Sequence, residues 1–279
     1  MNLRTLLITA VICLFAGGPL SAQSPPDANR TPPSSAGAHQ AVAQLGIPLF
    51  PSSILAAGRS REQPPVPDKV ALAVTGDSLA DGIWGAVYRK LVRDKRYVIR
   101  RHAKNSTGFT TEGMLDQVDE GFKPTPADAV VMMVGANDRR SFFVDGKSKA
   151  LFATPPWRDL YGGRAAAFMD HLKAREVPVV WILLPVMRDE AASRDAKMIN
   201  ELVAKAAADR PWVRVVDTWA LTADENGAYA AHFKDLSGKV RLMRDSDGVH
   251  FTPPGYELIA ESVLNLLREA SPKFRLLPR

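Results

Sequence analysis

From Lys69 onward, short unbroken apolar runs alternate with longer stretches in which apolar residues return every three or four positions. Val70-Ala71-Leu72-Ala73-Val74 is such a run, the pattern of a strand buried on both faces. Leu79, Ile83, Val87 and Leu91 follow at four-residue steps and predict a helix from Ser78 to Lys95. Tyr97-Val98-Ile99 reads as a second strand, Thr110 to Gly121 as a short helix, and Ala129 to Val134 as a third strand. Trp157 to Arg175 is helical in pattern and ends near Pro178; Val179 to Leu184 is a fourth strand, Asp189 to Asp209 an Ala-rich helix, and Val213 to Val216 a fifth strand. Leu258, Ile259, Val263, Leu266 and Leu267 give one apolar face to a closing helix from Pro254 to Ala270. Strands separated by helix-length segments imply βαβ units and a parallel sheet, whose ligands bind outside the carboxyl ends of the strands. Ser141 to Pro156 reads as a long loop carrying Phe142, Phe143 and Phe152. Such loops line substrate sites or seal a core.

The first 68 residues have a different texture. One basic residue, Arg4, precedes an apolar run from Leu6 to Gly18, and Leu20-Ser21-Ala22 ends on small residues before Gln23. This is the layout of a secretory signal peptide over 1–22, with an apolar run shorter than the ~20 residues that span a bilayer. The expected product is exported, periplasmic or secreted, with an uncleaved anchor as the alternative. Ten of the 21 prolines fall in the first 67 residues, so 23–68 reads as a Pro-rich linker, with Ala41 to Leu55 apolar enough for a short helix. The remainder, 69–279, is one domain. The one cysteine, Cys13, lies in the signal segment, so cleavage leaves a chain without disulfides or thiol chemistry. With 46% hydrophobic and 24% charged residues the chain is globular in composition, which excludes wholesale disorder and coiled coil. Its net charge of +6 is spread along the chain, a pattern of solubility and not of nucleic-acid binding.

Three segments carry candidate chemistry. Gly76-Asp77-Ser78-Leu79 follows the first strand and opens the first helix, which places the Ser78 hydroxyl at the mouth of the sheet and its N–H at a helix start, where an oxyanion is favoured. The same tetrapeptide also suits an ordinary cap and turn. Gly135-Ala136-Asn137-Asp138 follows the third strand, and Asn137 brings two amide donors, although these residues also favour plain turns. Asp247-Gly248-Val249-His250 precedes the last helix. If that loop curls back, Asp247 accepts from Nδ1 of His250 and frees Nε2 to take a proton from a serine. The other histidines lack such company: His39 lies in the linker, His171 in a charged helix, and His102 and His232 read as structural or surface residues. No cluster has the spacing of a metal site, so neither metal nor organic cofactor is expected.

The three blocks, in this order over roughly residues 69–270, resemble blocks one, three and five of the SGNH/GDSL hydrolases. Trp157-x-x-x-Tyr161-x-x-Arg164 and Met198-Ile199-Asn200 look closest to an exported bacterial branch known mainly as a domain of unknown function. The resemblance implies an α/β fold, a three-layer α/β/α sandwich of flavodoxin-like type with a five-stranded parallel sheet. It implies ester hydrolysis with Ser78 as nucleophile, His250 as base, Asp247 as its orienting acid, and an oxyanion hole of Ser78 N–H, Gly108 N–H and Asn137. Gly108 stands for the family's second block, with Gly113 as a rival, and Asp77 and Asp138 brace turns. Export and the family's frequent removal of acetyl groups from sugars point to a small acyl ester or O-acylated glycan as substrate. Arg139, Arg140, Arg158, Arg164 and Arg244 fall near the expected mouth, as anion-holding or as surface and ion-paired residues. An O-acyltransferase with the same serine chemistry, or a non-catalytic envelope binding protein, are the alternatives.

Overall fold

The computed structural model describes residues 69–123, 125–144, 147–275 and 277. The signal peptide expected over 1–22, the Pro-rich linker expected over 23–68 and the helix expected over Ala41 to Leu55 lie outside the described residues.

The apolar runs become β1 (Val70–Gly76), β2 (Tyr97–Ala103), β3 (Ala129–Met133), β6 (Val179–Ile182) and β7 (Val213–Val216), all parallel, in the order β2-β1-β3-β6-β7. Every residue of β1, β3 and β6 is buried, whereas the edge strands β2 and β7 are half-covered. Continuous apolar sequence therefore marks the three central strands, whose two faces both meet helices. The helices are α1 (Ser78–Leu91), α2 (Met114–Glu120), α3 (Pro155–Lys173), α4 (Glu190–Ala208), α5 (Thr218–Thr222) and α6 (Pro253–Ala270). α1 packs on α6 and α3 packs on α4, two pairs that cover the two faces and complete a three-layer α/β/α sandwich. Among the described residues, no helix is long and apolar enough to cross a membrane.

Two small hairpins interrupt the expected pattern. The long loop before α3 contains β4 (Phe142–Val144) paired with β5 (Lys147–Ala150), and the approach to α6 contains β8 (His232–Lys234) paired with β9 (Val240–Leu242). They escape the sequence pattern because each strand is three or four residues long, too short to show a period. Phe142 and Trp157 are fully buried and Phe143 is 54% exposed, so two of these aromatics seal the core and one faces water.

The sheet's topological switch lies between β1 and β3, because β2 is laid down on one side of β1 and β3 on the other. At that point the two strands nearly touch. Gly76 ends β1 at φ +130, and a Cβ there would stand 1.9 Å from the Met133 carbonyl oxygen at the end of β3. Only glycine combines that conformation with so close an approach. Gly76→Ala is expected to cost at least about 2 kcal/mol, from backbone strain and forced separation together. Urea unfolding of the variant, followed by circular dichroism, reads that loss directly.

Candidate active site

Ser78 is the first residue of α1, so its backbone N–H has no acceptor within the helix and points out of its start. Asp77 just before it is fully buried and does two things at once. One carboxylate oxygen caps α1 through Leu79 N–H at 2.9 Å; the other accepts Gly135 N–H at 3.1 Å and Ala136 N–H at 3.2 Å. The serine turn is thereby tied to the loop after β3. Burial pushes the Asp77 carboxyl up, and the neighbouring Asp138 adds to the push against the three N–H groups; the result is about 7. From below, Gln117 on α2 donates to the carbonyls of Gly76 at 2.7 Å and His102 at 2.6 Å, so β1 and β2 end in register.

Asp138 repeats the device between the loops after β3 and β2. Also fully buried, it accepts Phe109 N–H at 3.0 Å, Thr110 N–H at 3.0 Å and the Thr110 hydroxyl at 2.7 Å. Gly108 is glycine for this reason: a Cβ there would lie 2.0 Å from the Asp138 carboxylate. Its N–H has no acceptor among the described residues. Asn137 donates one amide hydrogen to Thr107 O at 3.2 Å, which fixes the side chain and leaves its second N–H for a ligand. Gly113 instead caps α2 and is exposed, so the loop beside Asn137 belongs to Gly108.

The residues Trp157, Tyr161 and Arg164 form one stripe of α3 that holds these loops from behind. Trp157 Nε1 donates to Arg140 O at 2.8 Å, Tyr161 Oη to Asp138 at 3.0 Å, and Arg164 to the carbonyls of Phe109 at 2.5 Å and Thr111 at 3.2 Å. Asn200 likewise clasps Leu184 after β6, accepting its N–H and donating to its carbonyl, both at 2.8 Å.

The Asp–His loop is shaped by its own aspartate. Oδ1 of Asp247 accepts the N–H groups of Val249 at 2.8 Å and His250 at 2.9 Å, which curls the chain; Oδ2 meets His250 Nδ1 at 2.6 Å. The opposite ring nitrogen, Nε2, lies 2.7 Å from Ser78 Oγ. Partial burial pulls the Asp247 carboxyl up, but the hydrogen bond from His250 and the two N–H groups bring it down to about 2, so it stays ionised over any ordinary working pH. The loop is open to water: the side chains of His250 and Asp247 are 33% and 48% exposed. Ser78, His250 and Asp247 thus form one hydrogen-bonded line, with the N–H groups of Ser78, Gly108 and Asn137 on the loops around it. The line from Ser78 through His250 to Asp247 is an arrangement able to activate a serine.

The five arginines expected at the mouth divide. Arg139 pairs with Asp195 at 2.7 Å, Arg140 donates to Asn137 O at 3.1 Å and Arg158 to Ala153 O at 3.0 Å, all exposed. Arg164 braces the loops as described. Arg244 corrects the expectation of a surface or ion-paired residue: it is 1% exposed and bonded to backbone carbonyls. Of the other histidines, His171 binds Asp119 at 2.7 Å, His102 is half-buried and His232 lies exposed on β8. His39 lies outside the described residues.

A family model described as "Protein of unknown function (DUF459)" matches residues 71–266. The chain belongs to the DUF459 family. No curated protein matches it. Among solved structures, this DUF459 protein is similar to a GDSL-like lipase from Bacteroides thetaiotaomicron (TM-score 0.52, 14% identity, 72% of this chain and 89% of that one). It is also similar to LAE5, an alpha/beta hydrolase enzyme from the metagenome of Lake Arreo (TM-score 0.51, 16% identity, 75% and 97%). TesA aligns at a TM-score of 0.50 with 15% identity over 72% of this chain and 99% of that one. At these identities the likeness establishes the fold, which DUF459 shares with the GDSL hydrolases.

Asp77→Asn replaces one acceptor oxygen by an N–H₂ group facing backbone donors, and is expected to cost about 1–3 kcal/mol. Because the folded carboxyl holds its proton to about 7 and the ordinary value is 3.8, this group stabilises the fold fully below pH 4 and loses that contribution as pH rises toward 7. The advantage of wild type over the variant in urea unfolding should therefore shrink between pH 4 and pH 7.

Proposed function

We propose that the protein is a serine esterase that cleaves a small acyl ester, an O-acetyl group in the first instance, from envelope or extracellular carbohydrate. The observation that carries the reading is the unbroken line from Ser78 Oγ through His250 to Asp247, at 2.7 and 2.6 Å. Ser78 Oγ attacks the acyl carbon as its proton passes to His250 Nε2. The N–H groups of Ser78, Gly108 and Asn137 hold the oxyanion, and ionised Asp247 offsets the imidazolium charge. His250 returns the proton to the leaving alcohol oxygen, and the alcohol departs. A water molecule, deprotonated by His250, then attacks the acyl-serine and releases the acid, with the proton returning to Ser78. The GDSL-hydrolase fold supports the reaction class. The signal-like segment supports export, and the open rim around His250 and Asp247 supports a substrate larger than its acyl group.

Ser78→Ala is expected to abolish hydrolysis of p-nitrophenyl acetate, by about a thousandfold or more. Acetate should be preferred over butyrate and octanoate; a reversed order would remove the acetyl assignment. Transfer of the acyl group to an added glycan, in place of release as free acid, would make the enzyme an acyltransferase. Wild type that neither turns over ester nor reacts with a fluorophosphonate would be a binding protein with this fold.

Asn137→Ala should keep the fold and lower kcat by about 10²–10³, the cost of one oxyanion donor, as read in the same assay. Because the Asp247 carboxyl stays ionised down to about 2, its protonation should add no acid limb to a pH profile of kcat/KM above pH 4.

A further inference from the structure

Arg244 is a buried cation without a carboxylate hydrogen-bond partner among the described residues, and it stands immediately ahead of the Asp–His loop. Its guanidinium donates to Val186 O at 2.7 Å, Val249 O at 3.0 Å, Gly248 O at 3.2 Å and His250 O at 3.3 Å. Its planar faces meet aromatic rings, with Phe251 at 4.4 Å and Tyr229 at 4.9 Å from its central carbon. We propose that Arg244 is a positioning residue that holds His250 and Asp247 in line with Ser78, an inference that rests on the serine reading above.

The need for it follows from the loop's own bonding. Asp247 curls residues 247–250 by collecting their N–H groups with its carboxylate, which leaves the carbonyls of Gly248, Val249 and His250 turned away from that oxygen. Three successive carbonyls in a tight turn cannot all find backbone donors. Gly248 O takes Arg188 N–H at 3.0 Å and His250 O takes Asp245 N–H at 2.9 Å; Arg244 binds all three from one side. The fourth acceptor, Val186 O, belongs to the segment after β6, so the same plane of donors fastens the loop to the end of the sheet. Only an arginine offers five donors in a rigid fork; a lysine carries its three on a single atom and reaches one or two of these oxygens. Lysine keeps the charge and loses the geometry, which makes it the informative substitution. Misplacement of a catalytic group by about 1 Å costs on the order of a hundredfold in rate.

The test compares full-length wild type with Arg244→Lys by three readouts. The first is kcat and KM on p-nitrophenyl acetate, corrected for the folded fraction. The second is the rate of Ser78 labelling by a fluorophosphonate, and the third is the downfield proton resonance of His250 Nδ1–H bonded to Asp247. The expected result is a fall in kcat and in labelling rate of about a hundredfold with KM nearly unchanged, and loss or broadening of the resonance. A variant with a lower Tm but wild-type kcat, labelling rate and resonance would overturn the proposal and leave Arg244 a residue of stability alone. Inert wild type would overturn the serine reading, and the resonance, which needs no substrate, would still decide whether Arg244 holds the Asp–His pair. If Arg244→Lys does not fold, Tyr229→Ala uncovers one face of the guanidinium and should slow labelling several-fold; unchanged labelling with an unchanged resonance would again overturn the proposal.

Discussion

Two aspartate side chains that water never reaches hold the working edge of this molecule together. Asp77 and Asp138 are fully buried, and between them they accept five backbone N–H groups and two hydroxyls from four separate segments of chain. Loops at the end of a parallel sheet carry donors that no strand or helix satisfies, and leaving them buried and unpaired would be costly. A carboxylate is a compact answer, because each oxygen accepts more than one bond and both lie in a single plane. The loops after β1, β2 and β3 therefore behave as one body. The serine, the glycine N–H and the asparagine amide ride on it together.

The remaining partner, the Asp–His loop, comes from the far end of the chain and is built on the opposite plan. Its aspartate is half exposed and spends one oxygen on the loop's own backbone and the other on the imidazole. Its outward carbonyls turn to Arg244. The site thus joins a buried, carboxylate-centred floor to a solvent-facing loop held by a buried cation, and the 2.7 Å contact between Ser78 Oγ and His250 Nε2 is where the two meet. For the proposed mechanism, rigid support on both sides keeps Ser78 Oγ and His250 Nε2 within proton-transfer distance without a substrate to draw them together.

Much of this was legible in the residues. Val70 to Val74, Ala129 to Val134 and Val179 to Leu184 read as strands, and the structure places them at the centre of the sheet, where burial on both faces demands unbroken apolar sequence. The helices predicted over 78–95, 157–175 and 254–270 appear at 78–91, 155–173 and 253–270, with the difference confined to ends. Trp157, Tyr161, Arg164 and Asn200 stood out as motif residues, but what they touch did not follow, since their partners lie at distant positions in the chain. The hairpins over 142–150 and 232–242 were not visible because strands of three or four residues carry too few alternations to read.

By itself the sequence determined the sheet, its helices and the chemical types at its edge: a serine at a helix start, an asparagine after a strand, an aspartate three residues ahead of a histidine. These follow from local rules of periodicity, capping and residue chemistry, which act over a few residues and leave their mark in order along the chain. The tertiary structure alone decided which groups meet. Asp138 shows it in reaching back to Phe109 and Thr110, and Arg244 more sharply, since a charged side chain reads as a surface residue until its carbonyl partners converge on it. Those carbonyls belong to segments far apart in the chain or turned by a loop's own hydrogen bonds. Where they point is settled only when the chain closes on itself.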